Sequence, residues 1–203
     1  MAIGKRLRGA MASTGLGLGM GFGFGFGCGL GLGLGLGLPI SPGQALELRG
    51  ATYFTKPPWS VDLISYQTYA YQTRPEYFFR VSLDPAAGAP LGGLTISQTR
   101  GVDRNFEFSV DRTTAFLGGT PRREGPKIPV QASFVQASRT FTIRFPEPVQ
   151  PGNTVTVVLR PWTNPAMADT YMFAVNAFPA GPNPSPSPLG YGTLRIYNFG
   201  DFN

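Results

Sequence analysis

The sequence predicts an all-β fold, an antiparallel immunoglobulin-like β-sandwich preceded by a Gly/Leu-rich signal segment. Three observations predict it. Beyond residue 45, apolar side chains recur at every second position, the period of a half-buried strand. Pro, Gly, Asn and Asp interrupt that alternation at short intervals, as turns between strands do. The intervening positions are rich in Thr, Arg and Ser, so each strand carries one apolar and one polar face, the requirement for two packed sheets.

The first element is not a strand. From Gly15 to Leu38 glycine alternates with Leu, Met, Phe or Cys, with no charge, behind Lys5, Arg6 and Arg8. A basic start, an apolar run and a small-residue exit form an export signal. The tract is longer than the usual apolar region of about 7 to 15 residues. As a helix it would measure about 36 Å, enough to cross a bilayer core, so a signal anchor over residues 15–38 is the alternative. Cleavage after Ala45 is the favoured outcome. Glycine adds no side-chain transfer energy and weakens helix, and Gly43-Gln44-Ala45 puts small residues where a signal peptidase reads them. The expected organisation is therefore 1–45 as signal peptide or anchor and 46–203 as a single β-sandwich domain. Membrane contact is expected only through the N-terminal segment. A silk-like strand fits the alternation but not the basic start. A lipidated Cys28 is disfavoured because Gly25 stands where a large aliphatic residue belongs.

Strands are expected at 61–66, 77–83, 94–98, 105–110, 113–116, 130–135, 140–145, 154–160, 171–176 and 194–197. Tyr77, Phe79, Val81 and Leu83 alternate with polar residues and Phe78, and Phe141, Ile143 and Phe145 with Thr140, Thr142 and Arg144. Gln136-Ala137-Ser138 suits a hairpin, and Pro151-Gly152 suits a type II turn, with proline fixing φ and glycine supplying its positive φ. Pro182, Pro184, Pro186 and Pro188 favour an extended loop and exclude a central strand.

Charge excludes one class of partner. The whole chain carries +6, but three basic residues belong to the signal segment, and residues 46–203 carry only +3. Arg122-Arg123 with Lys127 is the one cationic cluster, and Glu124 sits inside it, so nucleic-acid binding has no support. Histidine is absent and Cys28 is the sole cysteine. Ser-His-Asp and Cys-His catalysis, histidine metal sites and disulfides in the mature domain are thereby excluded.

Carboxylates and aromatics remain. Asp103, Glu107 and Asp111 stand four apart and would share one face of an unbroken strand, a possible acid–base pair on a glycoside. Arg104 and Arg112 beside them favour ordinary surface charge instead. A calcium site at Asp103 or Asp111 lacks the dense Asp/Asn loop such sites show. No metal and no cofactor is expected. Among the aromatics, Trp59, Trp162, Tyr66, Tyr69 and Tyr71 would stack on sugars if exposed, and Trp59, Trp162 and Tyr69 are the candidate ligand-binding residues. Burial is the default for an aromatic in a sandwich, and Trp162 beside Pro161 is subject to it.

The distribution of short segments resembles the DUF2808 family, exported cyanobacterial proteins of unknown function. It runs from Pro57-Pro58-Trp59-Ser60-Val61-Asp62 through Tyr77-Phe78-Phe79-Arg80-Val81, Gly92-Gly93-Leu94-Thr95-Ile96 and Thr114-Ala115-Phe116-Leu117-Gly118. It continues with Phe145-Pro146-Glu147-Pro148-Val149, Pro151-Gly152, Asn164-Pro165 before Tyr171-Met172-Phe173, Ala177-Phe178-Pro179-Ala180-Gly181 and Leu189-Gly190 ahead of Ile196-Tyr197. Asp169 departs from the glycine expected before the Tyr171 strand. The resemblance implies an exported β-rich domain and carries no catalytic residues. The expected role is a non-enzymatic structural or interaction domain, periplasmic or extracellular, with a cell-envelope protein or polysaccharide as partner. The alternatives are a glycan-binding module and, behind it, a glycosidase-like hydrolase.

Overall fold

Alternation and turn chemistry produce two five-stranded antiparallel sheets in a computed structural model that describes residues 46–48, 50–119 and 122–200. The expected signal segment, 1–45, lies outside the described residues. A short hairpin, β1 (Leu46–Leu48) and β2 (Ala51–Tyr53), precedes the sheets. The first sheet has the order β3 (Val61–Ile64), β4 (Tyr77–Ser82), β10 (Thr154–Leu159), β6 (Thr114–Leu117), β7 (Lys127–Ile128). The second has the order β12 (Ser187–Ile196), β11 (Asp169–Pro179), β5 (Leu91–Arg100), β9 (Thr140–Val149), β8 (Gln131–Val135).

The predicted inward faces meet between the sheets. Phe79 and Val81 of β4 and Val155 and Val157 of β10 are buried against Ile96 of β5, Ile143 of β9 and Phe173 and Val175 of β11. Phe79 and Phe173 meet edge to face, ring centroids 5.7 Å apart. Such a pair adds about 1 kcal/mol beyond its area burial. Phe78, Phe116 and Val158 point the other way and form a small second cluster on the outer face of the first sheet.

The turns also follow the sequence. Arg139 N donates to Gln136 O at 3.2 Å in the β8–β9 hairpin. Gly152 takes φ +83°, the conformation a type II turn demands of its third residue. Strands β5, β9 and β11 are longer than expected, and the β1–β2 hairpin and β7 are additional. The proline run is only partly loop: β12 starts at Ser187, and Pro188 pairs with Asn176. An edge strand tolerates this because one side of its ladder is unused.

The expected strand at 105–110 does not form. This segment contributes one isolated bridge, Phe108 to Pro161, and leads into a 3-10 turn at Val110–Arg112. Consequently Asp103, Glu107 and Asp111 do not share a face. Both Asp103 oxygens are engaged by backbone amides, Asn105 N and Ala166 N at 2.8 Å each, and Asp111 accepts from Ser109 Oγ at 2.9 Å. Local Asx-type bonding outcompetes the ladder here. Asp169 opens β11 in place of the expected glycine. Its carboxylate accepts Thr170 N (2.7 Å) and Val102 N (3.0 Å), and the Thr170 amide foremost holds it below its ordinary pKa.

Candidate functional site: an aromatic loop end

Strand register sorts the aromatic candidates. Leu159 pairs with Tyr77 at one end of the first sheet, and Thr154 pairs with Ser82 at the other. Trp162 follows Leu159 and therefore sits at the Tyr77 end. Val61 pairs with Val81 and Ile64 with Phe78, so Trp59 precedes β3 at the Ser82 end. Tyr69 follows β3 and joins Trp162. Sequence candidates Tyr69 and Trp162 thus share one end of the sandwich, and Trp59, 81% exposed, occupies the opposite end.

The loop end is built on its backbone. Trp162 N donates to Glu107 O (3.0 Å) and Trp162 O accepts Arg74 N (2.8 Å), which pins it between two loops. The burial default fails for its side chain, which is half exposed. Tyr71, Met167 and Phe199 stand exposed on the same set of loops, and Phe199 packs on the half-buried Tyr69 ring at 5.6 Å. Tyr71 and Arg74 take φ +58° and +52°, a left-handed conformation that costs a non-glycine residue of order 1 kcal/mol. Surrounding bonds hold them there: Tyr71 N reaches Pro165 O at 3.3 Å, and Ala70 N reaches Tyr197 O at 2.8 Å.

Asn164 is the keystone, and in the sequence it stands out only as part of the Asn164-Pro165 pair. It is buried, at 1% exposure. Its amide nitrogen donates to Gln67 O (3.0 Å) and Tyr69 O (2.9 Å), and its carbonyl accepts from the Tyr77 hydroxyl (2.8 Å). Its backbone N–H reaches Gln72 O at 2.8 Å. One side chain therefore satisfies two carbonyls of the 65–76 loop and ties them to the core. Burial pushes the Tyr77 phenol far above its ordinary pKa, so it stays a donor to Asn164. No sequence signal distinguishes this asparagine from one that merely starts a turn.

A second buried group supports the neighbouring loop. Arg139 is 3% exposed at φ +53°. Its guanidinium lies 4.4 Å from the Phe106 ring centroid and between 5.2 and 5.3 Å from those of Phe134 and Phe108. Nε donates to Gln98 Oε1 (3.0 Å), and Nη1 donates to Phe106 O (2.8 Å) and Gln136 Oε1 (3.2 Å). Nη2 is buried with no hydrogen-bond partner among the described residues. Burial lowers its pKa below the ordinary guanidinium value, and the charge of Arg104 adds to that. The aromatic cage makes this cation tolerable with no carboxylate hydrogen-bonded to it among the described residues, the Asp103 charge helping from a distance. It fixes the 101–108 loop on which Trp162 leans.

The chain belongs to the family described as protein of unknown function (DUF2808), whose pattern matches residues 51–196. No curated protein matches it. Among solved structures it is similar to the N-terminal domain of the Streptococcus gordonii adhesin Sgo0707, with 11% identity and TM-score 0.46 over 72% of this chain. That match spans 34% of the adhesin domain, about a third of its length. It is also similar to an uncharacterized protein from Nocardia farcinica with an immunoglobulin-like fold (15% identity, TM-score 0.39, 68% of this chain and 97% of that one). A third is the collagen-binding domain of a Staphylococcus aureus adhesin (7% identity, TM-score 0.40, 70% and 100%).

Proposed function

We propose that this DUF2808 member is an exported, non-enzymatic interaction domain of the cell envelope or extracellular space, with the loop end around Trp162 as its contact surface. The observation that carries this reading is the concentration of Tyr71, Trp162, Met167 and Phe199, each at least half exposed, on one end of the sandwich. Large apolar side chains held out on ordered backbone mark interaction sites, and Trp and Tyr dominate the energetics of such sites. The polypeptide spends backbone strain at Tyr71 and Arg74 to hold this surface. A non-catalytic role is supported by the absence of histidine, by Cys28 as the lone cysteine, and by the separate engagement of Asp103 and Asp111. Export is supported by residues 1–45 as a sequence.

The partner is an envelope protein or polysaccharide. The test is co-sedimentation of the full chain with envelope material from its native host. A Tyr71→Ala/Trp162→Ala double variant is expected to lose retention by at least about tenfold, the loss typical of removing an aromatic anchor. Equal retention of variant and parent sinks the reading. Exposure of both tryptophans favours glycan binding as the second reading. Trp59 and Trp162 are the only two tryptophans, so quenching of intrinsic fluorescence by soluble oligosaccharides reports on it directly. Quenching that survives Trp59→Phe but not Trp162→Phe places the sugar at the loop end.

A further inference from the structure

Three segments named in the resemblance, 92–96, 145–149 and 177–181, meet at a place the loop end does not use. On the outer face of the second sheet the ladder opens. Leu91 pairs with Val149 and Gly93 with Arg144, so residues 145–148 of β9 stand opposite Gly92 alone. On the other side, Phe178 pairs with Gly93 and Pro179 with Leu91, again skipping Gly92. The cause is in the sequence: Pro146 and Pro148 have no N–H to give to the ladder, and the strand bows away. The floor is tight. A Cβ on Gly93 would lie 2.6 Å from Ile143 O, and one on Gly92 would lie 3.0 Å from Ala180 Cα.

The opening is a groove of about 520 Å³, within the size range of small-ligand sites. Phe178, Pro148 and Pro184 line it with flat apolar rings, and Thr95, Thr142 and Arg144 supply the polar groups. Among the described residues Arg144 supplies the only charged side chain lining it; that side chain is exposed and makes no ion pair or hydrogen bond with any of them. We propose that this groove binds an acidic saccharide, a chain of sugar rings that bears carboxylates. The C–H faces of a sugar pack on the Phe178 and proline rings, hydroxyls meet Thr95 and Thr142, and the carboxylate takes the planar guanidinium fork.

The geometry disfavours the competing ligands. An extended peptide gains affinity by adding a strand to a sheet edge, but this groove lies over the interior strands β5, β9 and β11, most of whose backbone groups are already spent on each other. A phosphate site gathers backbone N–H groups or several cations, and Arg144 stands alone. The inference goes beyond the loop-end reading and does not depend on it, since β5 begins where β4 ends, at the end of the sandwich opposite Trp162.

The test is equilibrium titration of the full chain with a galacturonate disaccharide, the matching neutral galactose disaccharide, and a short acidic peptide. The acidic sugar is expected to bind at least about tenfold tighter than the neutral one, the size of one charge-assisted hydrogen bond. Arg144→Gln should erase that preference and leave neutral-sugar affinity unchanged. Phe178→Ala should weaken both sugars, and Trp162→Ala neither. Equal binding of the two sugars, tighter binding of the peptide, persistence of the preference in Arg144→Gln, or no binding of the acidic sugar overturns the proposal. A failure here with envelope retention still lost in the Tyr71/Trp162 double variant leaves the loop-end reading standing.

Discussion

The two ends of this sandwich make surfaces by opposite means. At the Trp162 end, loops project aromatic rings outward, and buried side chains reach out to hold loop backbone in place, Asn164 on two carbonyls and Arg139 on a third. At the other end the sheet itself is opened, and the groove is walled by proline rings over glycine. The first surface is convex and depends on hydrogen bonds made by side chains. The second is concave and depends on bonds that the backbone of Pro146 and Pro148 is unable to make. Each end should therefore respond to a different class of substitution.

The largest effect is expected at Asn164. Removing its amide leaves the buried Tyr77 hydroxyl without its acceptor, and leaves Gln67 O and Tyr69 O with one partner each, Ser65 Oγ at 3.1 Å and Gln72 N at 3.3 Å. Asn164→Ala should cost about 3 kcal/mol in denaturant unfolding, since it removes three side-chain hydrogen bonds at about 1 kcal/mol each and strands one buried hydroxyl. Sugar binding in the groove should persist in whatever fraction stays folded. A loss below about 1 kcal/mol would mean that the loops hold themselves, contrary to the keystone role. At the groove, Gly93→Ala should cost about 2 kcal/mol by overpacking, because the new methyl meets a backbone oxygen that is itself in the ladder. Here the loop end should keep its retention on envelope material.

Alkali sharpens the contrast. The phenol of Tyr171 is pushed up to about 12 by burial, and that of Tyr77 higher still, against an ordinary 10.0. As pH rises past 10 the unfolded chain gives up these protons while the folded chain keeps them. The folded state then binds more protons, so stability falls with rising pH, intact below 10 and lost progressively through about 12. Both hydroxyls serve the loop end: Tyr77 donates to Asn164, and Tyr171 donates to Met167 O at 2.8 Å. Unfolding midpoints measured from pH 8 to 12 should drop in this window, and Tyr77→Phe should flatten the drop. A flat profile in the parent would deny that these phenols stay protonated in the fold.

The sequence showed more of the fold than of either surface, for identifiable reasons. Strands such as β4, β10 and β11 were legible because period-2 alternation is imposed by burial, and burial is what the two packed sheets deliver. The 105–110 segment alternates too, yet Asp103 and Asp111 cap local turns there, and composition alone does not reveal which of the two outcomes wins. Tyr69 and Trp162 were visible as aromatics, but their proximity depends on the pairing of β4 with β10. Asn164 and Arg139 carry no mark of their own in the sequence because their importance lies in what their side chains reach across 87 to 97 and 33 to 41 positions. The groove was hidden for the same reason. Gly92-Gly93 and Pro146-Glu147-Pro148 stand out in the sequence only as separate short segments, and it is their juxtaposition that makes a cleft.

The smallest expected effect is the one that separates a working surface from scaffolding. Trp162→Ala and Arg144→Gln should each change stability by no more than about 0.5 kcal/mol, because both side chains are exposed and neither satisfies a buried partner. Trp162 contributes to the fold through its backbone N–H and C=O, and alanine retains both. Arg144 pairs with Gly93 and Gln131 through its main chain, which glutamine reproduces. Thermal and urea unfolding of the two variants should therefore overlay the parent, while Trp162→Ala weakens envelope retention and Arg144→Gln removes the preference for acidic sugar. A destabilisation of 2 kcal/mol or more at either position would show the side chain to be structural, and the functional loss at that end would then say nothing about recognition. Silence in stability joined to loss in binding is the combination that only a contact surface produces.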